Sequence, residues 1–287
     1  MSPFWYRKIV YQGSKNRLAK FIIPILQKYI KENNIDTFID CFCGGANIVD
    51  KIECENRIAS DYNEDLIALL RYAQSDNDLS IAPSECSFEH YADVRSNRTT
   101  GKYSQEYVAL IGYCASYGGR YYDGGYGRDS KGGRSIYTER VSNLKEQAPS
   151  LKGIEFSCRD YKDYLNMGIK NALFYLDPPY KGTKQYSKQN IDYEEFYNFC
   201  RELSKDNIVV ISEYNMPDDF TCIWEKERKV LQKSDRVKGE KAVEKLFVCN
   251  KEVTYTIGGC VDCDECTHRS EDCLCDISDN DGGCPLI

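Results

Sequence analysis

The chain has 287 residues, 41% of them hydrophobic and 29% charged, enough for one large or two smaller cores. No apolar stretch approaches the about 20 residues that a membrane span needs, and Met1–Arg7 lacks the unbroken apolar segment of a secretory signal, so a cytosolic protein with no membrane partner is expected. The net charge of −7 sits at the C-terminal end, where residues 250–287 carry nine acidic and two basic side chains; the near-neutral remainder leaves a nucleic-acid partner open.

Tyr11-Gln-Gly-Ser-Lys15 precedes a helical pattern, Leu18, Phe21, Ile22, Ile25, Leu26, Tyr29 and Ile30, with Ser14 or Asn16 as its cap and Pro24 as a source of bending. A capped surface helix with a solvated Lys15 is the plain alternative. Thr37–Cys43 then reads as a strand and Gly44-Gly-Ala-Asn47 as a tight turn into a helix starting near Ala46. Glycines in such a turn let backbone approach a ligand closely. The turn is not a phosphate-binding fingerprint, which argues against a nucleoside triphosphate. Arg57–Ser60 is the second strand. It ends on Asp61, with Asn63 capping a helix Glu64–Tyr72. An acid after a glycine turn and a second strand is placed to bind ribose hydroxyls, or else simply helps cap the helix.

Between about residues 77 and 150 the α/β rhythm breaks. Two helical patches, Glu85–Val94 and Ser104–Ala115, lead into a run rich in tyrosine, glycine and arginine from Tyr113 to Arg128, then Lys131-Gly-Gly-Arg134. Such a segment suits an exposed loop or hairpin that offers stacking rings and basic groups to DNA. Arg120, Tyr122, Arg128, Lys131 and Arg134 are its candidate contacts. A flexible, solubilising linker is the alternative.

The rhythm resumes with a strand at Gly153–Cys158 and a helix opened by Arg159–Tyr161. The apolar run Ala172–Leu176 reads as a buried strand stopped by Asp177-Pro-Pro-Tyr180. In an open α/β sheet, ligands bind beyond the carboxyl ends of the strands, so Asp177, the Pro178 carbonyl and the Tyr180 ring would share one crevice. Two acceptors and an aromatic face suit an exocyclic amino group on a planar base. A polar loop Lys181–Asn190, a helix Tyr193–Ser204, a strand Ile208–Ser212 and late strands at Lys229–Gln232 and Lys245–Cys249 follow. Ser234–Glu244 connects the last two, and its lysines and arginine are a weaker candidate for the DNA backbone than for solvent.

Taken in order, Tyr11–Lys15, Phe42-Cys-Gly-Gly-Ala46, Asp61-Tyr-Asn63, the Tyr/Gly/Arg insert, Asp177–Tyr180 and Ser212-Glu-Tyr-Asn215 resemble the DNA adenine-N6 methyltransferases. The likeness covers roughly residues 4–250 and is to the group with cofactor motifs first, recognition insert next and Asp-Pro-Pro-Tyr last. It implies an α/β, Rossmann-like class I methyltransferase sheet with a mainly helical insert. The catalytic domain would span 1–76 and 151–250, the target-recognition domain 77–150 and an acidic Cys-rich tail 251–287. The cofactor implied is S-adenosylmethionine, held by Tyr11, Lys15, Phe42, Gly44, Asp61 and Asp177. Asp177, Pro178 and Tyr180 would be catalytic, acting on an adenine flipped out of duplex DNA. A bacterial or virus-infected cytoplasm fits, and a cognate restriction system is an admissible companion. Ala46 stands where a further glycine is usual in the family, and the insert lacks the familiar sequence of the GATC-specific members. Cytosine-N4 or RNA methylation, and a silent DNA-binding scaffold, are the alternatives.

Nine cysteines scattered through the body read as reduced core residues. In the tail, Cys260, Cys263, Cys266, His268, Cys273 and Cys275 supply enough soft ligands for a zinc knuckle, though the spacing matches no standard zinc pattern. The acidic, apolar-poor surroundings equally suit a disordered tail.

Overall fold

In the computed structural model, residues 9–11, 13–128, 135–181, 191–228 and 242–249 are described. Seven strands form one sheet: β1 Thr37–Asp40, β2 Asn56–Asp61, β3 Ile154–Cys158, β4 Leu173–Leu176, β5 Ile208–Glu213, β6 Thr221–Arg228 and β7 Ala242–Val248. Their spatial order is β3-β2-β1-β4-β5-β7-β6. β1 runs parallel to β2 and β4, and β2–β3 and β4–β5 are also parallel. Only β7 is reversed, pairing antiparallel with both β5 and β6. A parallel strand in the middle of such a sheet is covered on both faces, which explains why all four residues of β4 are buried.

The helices are α1 Ala19–Glu32, α2 Glu64–Ser75, α3 Phe88–Ser96, α4 Gln105–Ala115, α5 Ile136–Gln147 and α6 Tyr193–Leu203. One apolar core joins α1 to α5 with residues of β2, β3 and β4, so the buried side chains of the 77–150 segment are continuous with those over the sheet. A second core packs α6, Tyr161 and Tyr164 against residues of β1, β4 and β5. The chain leaves β1 towards β2 and leaves β4 towards β5. The carboxyl ends of β1 and β4 therefore open a crevice at the switch point.

Several elements differ from expectation. No helix starts at Ala46: the chain turns, then makes a short 3-10 segment, Val49–Lys51, because the buried Ala46 sits at φ +57°, outside helical conformation. Neither Ser14 nor Asn16 caps α1, whose first position after the turn is Leu18 without a side-chain cap; Ser14 Oγ instead accepts from the Asn16 N–H. Pro24 lies within one continuous α1. The helix expected after Arg159 is a 3-10 turn, Tyr161–Met167, capped by Asp160. β6 lies at Thr221–Arg228, just before the expected Lys229–Gln232, which falls outside the described residues. Of the body cysteines, five are buried, but Cys158 and Cys222 are exposed and so are not core residues.

Candidate active site

The end of β1 carries the glycine turn. Gly44 adopts φ +48°, and a Cβ there would stand 2.9 Å from the Tyr11 ring, while one on Gly45 would meet Ile9 at 2.5 Å. The N-terminal segment thus lies directly on the turn, an approach only glycine permits. The Gly44 N–H donates to Asp61 Oδ2 at 3.0 Å, and the Asn63 N–H donates to Oδ1 at 2.9 Å. Asn63 caps α2 through Leu66, so Asp61 ties the turn to the end of β2 rather than capping the helix. Burial pushes the Asp61 carboxyl up despite these donors.

Gln147, fully buried at the end of α5, uses its whole amide on this turn. It donates to the Gly45 carbonyl at 2.9 Å and to Asp50 at 3.1 Å, and accepts from the Ile9 N–H at 3.0 Å.

On the other side of the crevice, Asp177 Oδ1 lies 2.8 Å from the Lys15 ammonium, both groups largely buried. Lys15 also stands 4.3 Å from the Tyr180 ring centroid, a cation–π contact that covers one face of the ring. Tyr214 packs edge-on to Tyr180 at 4.5 Å. The Tyr180 phenol donates to Glu244 at 2.6 Å and lies 2.9 Å from the Ser212 hydroxyl. Pro178 is buried, and the Pro179 carbonyl accepts from Tyr193 of α6, pinning the motif. Glu213, at the end of β5, accepts from the Lys181 and Tyr214 N–H groups.

The two sides form one site: Tyr11, resting on Gly44, feels both the Asp61 and Asp177 carboxylates. Asp40, fully buried at the end of β1, faces Asp177 and Asp61, and its Oδ1 has no hydrogen-bond partner among the described residues. Burial pushes Asp177 up to about 6 even with Lys15 opposing it, and Glu213 up to about 7. Phe42 completes the end of β1 but is half-buried against Tyr161, at 5.3 Å, and Phe196.

The expected exposed Tyr/Gly/Arg loop is mostly folded inward. Tyr122 is buried with its hydroxyl on the Val108 carbonyl, so it offers no stacking face to solvent. Tyr121 packs on Tyr113 at 4.9 Å and donates to Asp65. The buried Arg140 guanidinium donates to the Tyr113 and Cys114 carbonyls, and to that of Ser116, fixing the exit of α4. Arg120 is half-buried, whereas Tyr117 and Arg128 face out. Lys131, Arg134 and all the tail ligands proposed for zinc lie outside the described residues, among which no cluster suited to a metal exists.

Asp40, Gln147 and Glu244 are the site groups that sequence reasoning passed over, while Glu213 lay within the Ser212–Asn215 motif without a role of its own. One signal for Glu244 was present: in β7, Glu244, Leu246 and Val248 share the inward face by their spacing of two, and a lone carboxylate there breaks an apolar row.

A mostly parallel α/β sheet whose switch point joins a glycine turn to a buried Asp-Pro-Pro-Tyr is consistent with a methyltransferase. The family model of the D12 class N6 adenine-specific DNA methyltransferases matches residues 11–237, and the chain belongs to that family: it is an adenine-specific DNA methyltransferase. It is 25% identical over 273 residues to the type II methyltransferase M.MjaIII of Methanocaldococcus jannaschii, covering 82% of this chain and 94% of that protein. It is 26% identical over 207 residues to the type II methyltransferase M.FokI of Planomicrobium okeanokoites, and 25% over 191 residues to the modification methylase StsI of Streptococcus sanguinis. Those two alignments cover 65% and 59% of this chain but only 31% and 28% of the two relatives. Family membership implies use of S-adenosylmethionine and a DNA substrate. No helix among the described residues is long and apolar enough to cross a membrane.

Proposed function

We propose that the chain methylates adenine N6 at a specific site in double-stranded DNA, on a base extruded into the crevice between β1 and β4. The grouping of Lys15, Asp177 and Tyr180 beside the glycine turn carries this assignment. The cofactor fits the residues present. Asp177 and Glu244 both lie against the Lys15 ammonium, with Glu213 near it and Asp40 near Asp177, so among the described residues carboxyl groups outnumber the cation, as suits a cationic ligand, and the Tyr11 ring rests on the bare backbone of Gly44. When bound, S-adenosylmethionine supplies an electrophilic methyl group on a sulfonium.

The chain's own groups prepare the base. An adenine amino nitrogen is a poor nucleophile because its lone pair is delocalised into the ring. Asp177 and the Pro178 carbonyl each accept one N–H, turning that lone pair out of the ring plane. Asp177, held near pH 6 by burial, then takes the proton that the nitrogen sheds. Tyr180 replaces the stacking lost on extrusion, once the Lys15 ammonium yields the face it covers. Tyr11, Phe42, Gly44 and Asp61 hold the donor. Arg120 and Arg128 meet DNA from the 77–150 segment, with Lys131 and Arg134 beyond them, and the type II relatives make a companion restriction system the natural setting.

The test is Asp177→Ala. Methyl transfer is abolished while cofactor and DNA binding persist in part; wild-type turnover in this variant rules the role out.

A further inference from the structure

Glu244 is a buried carboxylate on β7, a strand that contributes nothing to the sequence motifs. Its Oε2 accepts the Tyr180 phenol at 2.6 Å and lies 3.8 Å from the Lys15 ammonium, which itself is 2.8 Å from Asp177. We propose that Glu244 is a positioning residue of the methyl-transfer site: it anchors the far end of the Tyr180 ring and shares Lys15 with Asp177, so that Lys15 only partly neutralises the catalytic carboxylate. This rests on the roles given above to Asp177 and Tyr180.

The anchoring is rigid because β7 is locked to β5 in register, Ser212 opposite Leu246 and Glu213 opposite Lys245. Ser212, directly beside the phenol, is then left to donate to it. Tyr180 is thus held by two adjacent strands. The charge sharing follows from what faces Asp177: Lys15 and Tyr11 from the N-terminal segment, Asp40 from β1, Tyr175 from β4, Glu213 from β5, Glu244 from β7, and Tyr180 from its own loop. Lys15 is the one cation in this set of described residues. A second carboxylate beside it disfavours the ionised form of the first. Removing the Glu244 charge therefore takes away the second carboxylate in reach of Lys15 and lowers the affinity of Asp177 for a proton. A glutamate that merely filled the core would change stability and leave Asp177 where it was.

The decisive measurement is a carbon-13 NMR titration of the Asp177 carboxyl in the full-length, unliganded protein, with the resonance identified by its loss in Asp177→Asn. In wild type the midpoint is expected at about 6, raised first by burial. In Glu244→Gln the proton affinity of Asp177 falls by about threefold or more, while Glu244→Asp, which keeps the charge, stays near wild type. An unchanged midpoint in Glu244→Gln overturns the charge sharing. If that variant does not fold, the same titration is read in Glu244→Ala, where an unchanged midpoint overturns it. For the anchoring role, Glu244→Ala, which has no acceptor for the phenol, loses about threefold more methyl transfer at pH 8 than Glu244→Gln, which has one; equal losses overturn it. A midpoint that moves without moving the acid limb of methyl transfer upholds the shared lysine and refutes the catalytic role of Asp177 instead.

Discussion

The Tyr11 ring lies against Gly44 so closely that a Cβ on residue 44 would come within 2.9 Å of two ring carbons. The glycine also holds φ +48°, a conformation that costs a side chain roughly 1–2 kcal/mol. Gly44→Ala therefore both strains the turn and lifts Tyr11 away from it. Calorimetry with S-adenosylmethionine is expected to show about a tenfold or greater loss of affinity, with Asp177 and its surroundings intact. Wild-type affinity in Gly44→Ala would mean that the cofactor does not rest on this turn.

Gln147 shows that the turn is also held from behind. Replacing it with leucine strands the Ile9 N–H, the Gly45 carbonyl and part of Asp50 without their partners. Each buried orphan costs about 1–3 kcal/mol. Gln147→Leu is expected to lower the denaturant midpoint and weaken cofactor binding together, whereas Gln147→Glu, which keeps an acceptor for Ile9 but sets a second carboxylate beside Asp50, weakens binding as well. Unaltered cofactor affinity in both would separate this clip from the site.

The pH dependence of stability runs opposite to that of a surface carboxylate. Burial raises Asp177 to about 6 and Glu213 to about 7, above the roughly 4 of an unfolded carboxyl. A folded-state value above the unfolded one means that the stability contributed is complete below about pH 4 and is lost as pH rises through 6 and 7; each group then withholds on the order of 3 kcal/mol at pH 8. Asp76 and Asp93, lowered by hydrogen bonds from Ser80 and from Lys102, lose their own stabilisation only as pH falls below the ordinary carboxylate range. The unliganded protein is thus expected to melt several degrees higher at pH 5.5 than at pH 8. Equal or lower melting at pH 5.5 would place these carboxyls in water.

Much of this organisation was legible from residue pattern. The apolar run of β4 ended by Asp177 and two prolines, the cap at Asn63, and the long apolar face of α1 were all placed by spacing and breakers alone. Three things were not. β6, rich in Glu and Lys, is an edge strand, and charged edges do not alternate like half-buried ones. The tyrosines from Tyr113 to Tyr126 look like a solvent-facing cluster in sequence, but glycines at 118, 119 and 125 with positive φ fold the chain back, so that Tyr122 is buried. Glu244 joins the site only through the antiparallel return of β7, a long-range pairing that local pattern does not encode.

Arg128, exposed after the Tyr113–Tyr126 run, is proposed to meet a phosphate. Arg128→Ala is expected to weaken binding to all duplex sequences alike and to reduce the slope of log affinity against log salt by about one. An unchanged slope would place Arg128 away from DNA, and a loss confined to one sequence would make it a reader of bases instead.

The central claim is that this site moves a methyl group to the amino nitrogen of adenine in duplex DNA. The most direct test is incubation of the purified protein with methyl-labelled S-adenosylmethionine and unmethylated duplex DNA, with RNA in parallel, followed by nucleoside analysis. Label in N6-methyldeoxyadenosine from the duplex alone is the predicted result; label in N4-methyldeoxycytidine, in RNA, or in no nucleoside would contradict it.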